Sequence, residues 1–500
     1  MKEIICPYCC KRFMPSAVDF RLDRVEEDGA AAQRELPQEA GSTFVNRKNT
    51  TVRGGKGAGL VRDEKLYQYY KDYLLLSDTD AASNANKLPF LEVDMMSPDI
   101  RYNVEDYNRF GYVTKIEYKG RELNERLCPY CHNTVVPNAG KYDMLMISMI
   151  GDTNVGKSVY LTVLEQVLKE DKFRGNLTFM GTEEEREIYL SNLTKLLNKK
   201  ETLSATQRTK IPPMTFLYTY VTPDSNEKKY KLIVFCDIAG EDCRQERTMK
   251  QNGYHLSASD GFLFLIDVTR FPGVAHTIDQ GSTISNMYQR EIFTAINRYM
   301  IADTYDNTTR IPAAVVLTKC DVLGEVGKIY GTERYHNILN DQRGSDIHPG
   351  YANIKEFDQL NQVVPDMIAE LGERELTKNV EDNFSTYNYF VASALGKSPE
   401  AIERVEENGN KVVENRVKGQ IMPYRVTEAF YWLLAKANCI PYYYWEILSN
   451  HKGETKRIEF FYYENERASL MSRIEAARRN LGINLNGFMN RWKVEEHAQI

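Results

Sequence analysis

The octapeptide Gly151-Asp152-Thr153-Asn154-Val155-Gly156-Lys157-Ser158 constrains this chain more than any other stretch. It fits the pattern Gly-x4-Gly-Lys-Ser/Thr, and it stands between the apolar run Met144–Ile150 and a helical pattern over Val159–Lys169. A strand that enters such a loop and a helix that leaves it are the context the pattern requires. The glycines let the backbone wrap an anion, while successive N–H groups and the helix N-terminus point at it. Lys157 would set a point charge on the β- and γ-phosphates, and the Ser158 hydroxyl would ligate Mg²⁺. Val159 then opens the helix.

A loop of this kind predicts an α/β fold, and the rest of the chain agrees. Met144–Ile150, Met214–Val221, Lys231–Asp237, Gly261–Val268, Ala313–Thr318 and Tyr387–Ala392 are short apolar or β-branched runs bounded by polar or turn residues, as buried strands should be. Helical patterns lie after Lys157, around Ile284–Met300 and around Ile354–Leu376, and Val426, Phe430, Leu433 and Ala437 form a last helical stripe. The expected fold is a mostly parallel sheet flanked by helices.

Three further short motifs close successive strands. Asp237-Ile238-Ala239-Gly240 places an acid where it can hold Mg²⁺, and the Gly240 N–H where it can sense a γ-phosphate. In Thr318-Lys319-Cys320-Asp321 the carboxylate of Asp321 can accept from the N1–H and N2–H₂ of guanine, with the Lys319 stem along the base. Adenine offers no such donor pair, so a buried acid there rejects it. In Ser393-Ala394-Leu395 the Ala394 N–H would donate to the guanine O6. Each triplet alone is common; four in this order at strand ends are not.

The set resembles the guanine boxes of the TRAFAC class of P-loop GTPases, over about Tyr142–Asn438. The resemblance implies binding of GTP and GDP with Mg²⁺, and hydrolysis of GTP. Two departures stand out. Thr318 replaces the usual Asn, which should keep guanine recognition, and Glu241 follows Gly240 where Ras-like proteins carry a water-positioning Gln. A threonine that closes over Mg²⁺ should precede the second strand; Thr206, Thr209 and Thr215 are candidates, and spacing favours Thr209. Residues Glu241–Ser257 should form the second switch. The Asn-Val-Gly-Lys-Ser form is similar to that of Era-like GTPases, several of which use the asparagine to ligate potassium; Asn154 is the candidate here, unless it merely suits the loop backbone.

The nine cysteines include two Cys-Pro-Tyr-Cys elements, Cys6–Cys9 and Cys128–Cys131. An odd count without a secretion signal argues against a disulfide framework. Four thiolates at paired spacing suit one structural zinc with Zn–S near ~2.3 Å. A redox pair or independent thiols are the alternatives, and Cys10 and His132 are candidate substitute ligands. The distance from Cys9 to Cys128 in sequence requires residues 15–120 to be an insertion that returns to its root. Cys128-Pro-Tyr-Cys-His132-Asn ahead of the phosphate loop, with the closing segment Tyr424–Leu434, resembles bacterial GTPases of the double-GTPase group, which implies a zinc segment and a role in conflict or defence systems.

The expected organisation is a cysteine region over 1–140, a GTPase domain over 141–438 and a helical extension over 439–500. Within the extension Leu470, Ile474, Ala477 and Leu481 form an apolar stripe before a capping Gly482, and Tyr442–Trp445 reads as core. The tyrosines of a helix near Asp63–Leu76 read as packing surface, and Gly54–Gly59 as a flexible loop. The net charge of −6 over 500 residues gives no reason to expect nucleic acid or an anionic membrane. No apolar run approaches the ~18–20 residues of a membrane span, so a cytoplasmic protein is expected. Its partners would be guanine nucleotide and an unidentified protein, with room for a nucleotide-dependent dimer. The function classes left are a GTP-hydrolysing switch and a nucleotide-binding scaffold with negligible turnover.

Overall fold

The computed structural model describes residues 3–22, 51–53, 60–93, 100–104, 111, 113–152, 154–170, 175–203, 212–222, 227–239, 255–276, 287–300, 308–324, 351–405, 411–449 and 455–480. Its centre is a seven-stranded sheet: β1 Met144–Gly151, β2 Gly175–Phe179, β3 Met214–Val221, β4 Lys228–Ala239, β5 Gly261–Asp267, β6 Ala313–Thr318 and β7 Tyr387–Val391. The spatial order is β2-β3-β4-β1-β5-β6-β7. The five strands from β4 to β7 are parallel, while β2 and β3 pair antiparallel at one edge.

The continuous apolar runs explain the parallel part. Every described residue of β5 and β6 is buried, as strands covered by helices on both faces must be. The six strands expected from the sequence are all present. The seventh, β2, escaped notice because Gly-Asn-Leu-Thr-Phe is short, alternates, and buries only Gly175 and Leu177. Helix Lys157–Glu170 leaves the phosphate loop as expected. The pattern expected around Ile354–Leu376 is two helices, Ile354–Glu370 and Arg374–Asn383. Gly372, at φ 91°, ends the first, and the Glu373 N–H reaches back to the Ile368 carbonyl to close a left-handed cap. Helix Glu428–Lys436 buries nearly its whole surface, and the Tyr160 hydroxyl donates to the Val426 carbonyl at 2.6 Å, tying this helix to the one after the phosphate loop.

The N-terminal part is built from short strands. Arg126–Leu127, Asp19–Arg21, Phe90–Glu92 and Thr51–Arg53 form a four-stranded sheet in that order. Pairing of Arg126 with Phe20 brings the chain back beside its start, so the long insertion returns to its root. The predicted tyrosine helix spans Glu64–Asp72, and its Asp63 cap accepts from the Leu66 N–H. Tyr8, Leu66, Tyr69 and the four paired cysteines share one apolar core that reaches Leu232 on β4.

The C-terminal extension departs from expectation. It carries a β-hairpin, Tyr442–Ser449 with Thr455–Tyr462, before the helix Arg467–Asn480. The aromatic run that reads as core has the high strand propensity that makes it a hairpin arm, and Tyr442 and Tyr443 pair in parallel with Ala352 and Asn353. Leu470 and Ile474 are buried, as their stripe predicts; Leu481, Gly482 and the Gly54–Gly59 loop lie outside the described residues. Among the described residues no helix is long and apolar enough to cross a membrane.

Candidate functional site: the nucleotide edge and the cysteine cradle

The carboxyl ends of β1, β4, β5, β6 and β7 come together at one edge of the sheet, the place where open α/β folds hold their ligands. Gly151 ends β1 and sits tightly on β5, since a Cβ there would meet the Leu265 carbonyl oxygen and Val155 Cγ2, each at 2.8 Å. Asn154 and Gly156 both have left-handed backbone, at φ 67° and 93°. Asn adopts that region more readily than most residues, so Asn154 suits the loop backbone. The Lys157 ammonium donates to the Gly151 carbonyl at 2.7 Å and stands 3.6 Å from Asp237 Oδ1.

Asp237 is half-buried, with its Oδ1 shut off from solvent and accepting no hydrogen bond. Burial pushes its carboxyl above the usual range, which Lys157 offsets only in part. Asp237 and Ser158 line one cleft together with Thr162, Tyr189, Asn192 and Met214. A desolvated carboxylate oxygen with a lysine at arm's length beside a serine hydroxyl is a donor set suited to a hard cation.

The base-recognition boxes meet across β6 and β7. Ser393 Oγ donates to Asp321 Oδ1 at 2.7 Å, and Ser398 Oγ reaches Oδ2 at 3.2 Å. Ala394 and Leu395 follow, half-buried against the main core. Thr318 Oγ1 lies 3.1 Å from the Val155 carbonyl and 3.2 Å from that of Ile266, so it ties the base box to the phosphate loop. Lys319, itself left-handed at φ 59°, donates to Asp267 Oδ2 at 2.6 Å. Thr153, Thr206, Thr209, Gly240 and Glu241 lie outside the described residues, as does most of the second switch; Thr215 is buried within β3.

The sequence reading did not single out Asp267 and Arg270. Arg270 donates to Asp152 Oδ2 at 2.7 Å and approaches Asp267 Oδ2 at 3.7 Å. An acid at a strand end with an arginine three residues on is the available signal, and it is too common to act upon alone.

The second cluster is the cysteine cradle. Cys6, Cys9, Cys128 and Cys131 are buried, with all four sulfurs within 4.8 Å of one another. Cys6 Sγ is 3.6 Å from Cys131 Sγ, and Cys9 Sγ is 3.8 Å from Cys128 Sγ. Tetrahedral bonds of ~2.3 Å require sulfur separations of about 3.8 Å, so the donor set fits zinc. Burial pushes the Cys6 and Cys131 thiols up, whereas hydrogen bonds from the neighbouring thiols pull Cys128 down. The two knuckles match in backbone: the Cys10 N–H returns to the Cys6 carbonyl and the His132 N–H to that of Cys128, with Cys10 and His132 both at φ 54°.

That equivalence removes Cys10 and His132 as substitute ligands. Cys10 Sγ faces His255 Nδ1 at 3.1 Å. His132 is buried with both ring nitrogens engaged, Nδ1 with Asp63 at 2.8 Å and Nε2 with Asp19 at 3.2 Å. Burial lowers the His132 pKa, but the two carboxylates outweigh it and the net shift is upward. Arg21 completes the cluster, donating to Asp63 Oδ2 at 2.8 Å. The Tyr8 hydroxyl joins the cradle to helix Glu183–Leu193 through Glu185 Oε1 at 2.5 Å.

Comparison with known proteins gives a family match over part of the chain and several partial likenesses. Residues 145–374 match the family described as Double-GTPase 2. A putative ESX-1 scaffolding and assembly protein, SaeC of Mycolicibacterium smegmatis, is 22% identical over 329 residues, covering 61% of this chain and 78% of that protein. Among solved structures, the GTP-bound GTPase-like domain of S. cerevisiae Ski7 is 14% identical with a TM-score of 0.28, covering 61% of this chain and 55% of that one. The small GTPase Arl6 of Trypanosoma brucei, bound to a nucleotide analogue, is 12% identical with a TM-score of 0.24, covering 59% of this chain and 97% of that one. This chain thus spans just over half the length of the Ski7 chain. With the phosphate loop and the ordered boxes beside it, the family match over residues 145–374 supports a P-loop GTPase domain of the double-GTPase type.

Proposed function

We propose that this protein hydrolyses GTP to GDP and phosphate and works as a nucleotide-dependent switch, held together at its N-terminal side by a structural zinc ion. One observation carries the reading: the phosphate loop, Asp237, the Thr318–Asp321 box and the Ser393–Leu395 box converge on one sheet edge, with a desolvated Asp237 oxygen beside Lys157. In this reading Gly151, Asp152, Thr153, Asn154, Val155, Gly156, Lys157, Ser158 and Val159 receive the phosphates. Asp321 accepts from the base, Lys319 lies along it, and Ser393 with Ala394 and Leu395 shapes its far side. Ser158 and Asp237 would hold Mg²⁺, which when bound neutralises charge on the β- and γ-phosphate oxygens. Gly240 would sense the γ-phosphate, and Thr209 and Glu241 are the switch candidates. Cys6, Cys9, Cys128 and Cys131 would hold zinc as a closed, non-catalytic site.

The test is phosphate release from GTP and from ATP with Mg²⁺, in potassium and in sodium, beside Lys157→Ala. Release from GTP alone, lost in the variant, supports the switch. Equal turnover in both buffers removes potassium from the role of Asn154. The SaeC likeness favours a second reading, a GTP-binding scaffold with negligible turnover, and tight GTP binding without release would select it. Under either reading the proposal is a cytoplasmic protein, and the double-GTPase resemblance supports a role in a bacterial conflict or defence system with a protein partner.

A further inference from the structure

The phosphate loop contains an acid. Asp152 follows the first glycine of a loop that must accept several negative charges, and it is buried rather than turned into solvent. A carboxylate so placed opposes the ligand unless a cation is fixed beside it. Arg270 is that cation, with Nη1 at 2.7 Å from Asp152 Oδ2 and its side chain 14% exposed. The same guanidinium approaches Asp267 Oδ2, the oxygen that receives the Lys319 ammonium. Asp267 is itself anchored, since its Oδ1 accepts from the Thr269 N–H at 3.0 Å and the Thr269 hydroxyl at 2.6 Å. Alternating charges therefore run from the phosphate loop to the base box: Asp152, Arg270, Asp267, Lys319. The planar fork of an arginine suits a bridge between two carboxylates.

We propose that Arg270 is a positioning residue for the nucleotide: it cancels the charge of Asp152 beneath the phosphates and locks the phosphate loop to the base-recognition box. The inference rests on the GTP-binding reading above. It goes beyond that reading by naming a residue that touches neither phosphate nor base, and by predicting how affinity depends on phosphate number. Taking Arg270 away leaves the Asp152 charge without its guanidinium. The penalty grows with ligand charge, so GTP should suffer most, GDP less and guanosine least. A residue that only held the fold together would weaken all three alike.

The experiment is equilibrium binding of GTP, GDP and guanosine to the full chain, with thermal unfolding of each variant. Arg270→Ala should weaken GTP by about tenfold or more, and GDP by a smaller factor. Arg270→Lys should recover part of the loss. Adding Asp152→Asn to Arg270→Ala should recover most of it, because the charge to be balanced has gone. Asp152→Asn alone, in case Arg270→Ala does not fold, leaves the Arg270 charge uncancelled beneath the phosphates and should tighten GTP relative to guanosine; an unchanged ratio would count against the proposal. Equal losses for all three ligands would overturn the proposal. So would a double variant no better than Arg270→Ala, since the arginine would then be acting on the nucleotide directly. Wild-type protein that binds no GTP would overturn the functional reading itself; wild-type binding with unchanged Arg270→Ala would overturn only this inference.

Discussion

Two aspartates, Asp63 buried and Asp237 half-buried with one oxygen shut off from solvent, show how differently the halves of this molecule are built. Asp63, in the cysteine region, has every oxygen engaged, by His132, by Arg21 and by the Leu66 N–H. Burial would raise its carboxyl pKa, but those partners outweigh it and hold it below the usual range. Asp237, at the nucleotide edge, has an oxygen with no hydrogen bond and a carboxyl raised by the same burial. In this pair the satisfied acid belongs to the scaffold, and the acid with an unpartnered oxygen stands at the nucleotide edge beside Lys157.

The largest effects should separate the halves cleanly. Cys128→Ser should lose the metal, unfold the N-terminal region and cost about 5 kcal/mol or more, read as zinc content and thermal unfolding. Lys157→Ala should leave folding intact and weaken GTP by about 100-fold or more in equilibrium binding. If Cys128→Ser keeps full stability with no zinc, the cradle is a set of independent thiols and the contrast breaks on that side.

The aspartates themselves come next. Asp63→Asn should destabilise by about 3 kcal/mol, because it strips a partner from a buried histidine and a buried arginine. Asp237→Asn should keep or raise the melting temperature while removing the Mg²⁺ dependence of GTP binding. The sign of the Asp63 contribution to pH dependence follows from its lowered pKa. Its stabilisation is fully present above the ordinary carboxylate value of about 3.9 and is lost as pH falls through the folded-state value. Acid unfolding of the wild type should therefore be steeper than that of Asp63→Asn, and equal slopes would count against the pairing.

The halves also differ in how far their sequences could be read. At the nucleotide edge the signal is local. Gly156 and Asn154 bend the loop, the apolar run of β1 precedes it, and each box sits within four residues of its strand end. The six principal strands were legible for the same reason. The cysteine region is held by contacts distant in sequence. Cys9 meets Cys128, His132 meets Asp19 and Asp63, and Tyr8 meets Glu185. Spacing alone named four thiols but left Cys10 and His132 open as ligands, because their left-handed backbone and outward partners appear only in three dimensions. The Tyr442–Ser449 arm was missed since an aromatic run suits a buried helix segment and a strand equally.

A smaller effect tests whether the nucleotide edge tolerates a lost tie. Thr318 joins β6 to the phosphate loop through the Val155 carbonyl. Thr318→Val keeps the shape and removes the hydroxyl, and should weaken GTP by about tenfold, in line with ~1–1.5 kcal/mol for one such bond. Thr318→Asn should hold affinity near the wild-type value, since the amide can donate to the same carbonyl. Loss in both variants would mean that packing, not the hydrogen bond, is what matters there.

The smallest effect lies where the halves meet. The Tyr8 hydroxyl donates to Glu185 Oε1, while Oε2 of the same carboxylate accepts the Thr182 N–H at the start of helix Glu183–Leu193. Tyr8→Phe deletes one hydroxyl and leaves the edge-on contact of this ring with Tyr69 in place. Glu185 keeps its capping bond, so the cost should be only about 1 kcal/mol, with zinc content unchanged. What the variant reads is whether the halves melt as one. If the Tyr8–Glu185 bond helps couple them, the wild type should melt in one transition and the variant in a broadened or split one, with the cysteine region melting first. A uniform shift without broadening would mean that the apolar contact through Leu232 suffices to join the halves, and the hydroxyl only adds stability.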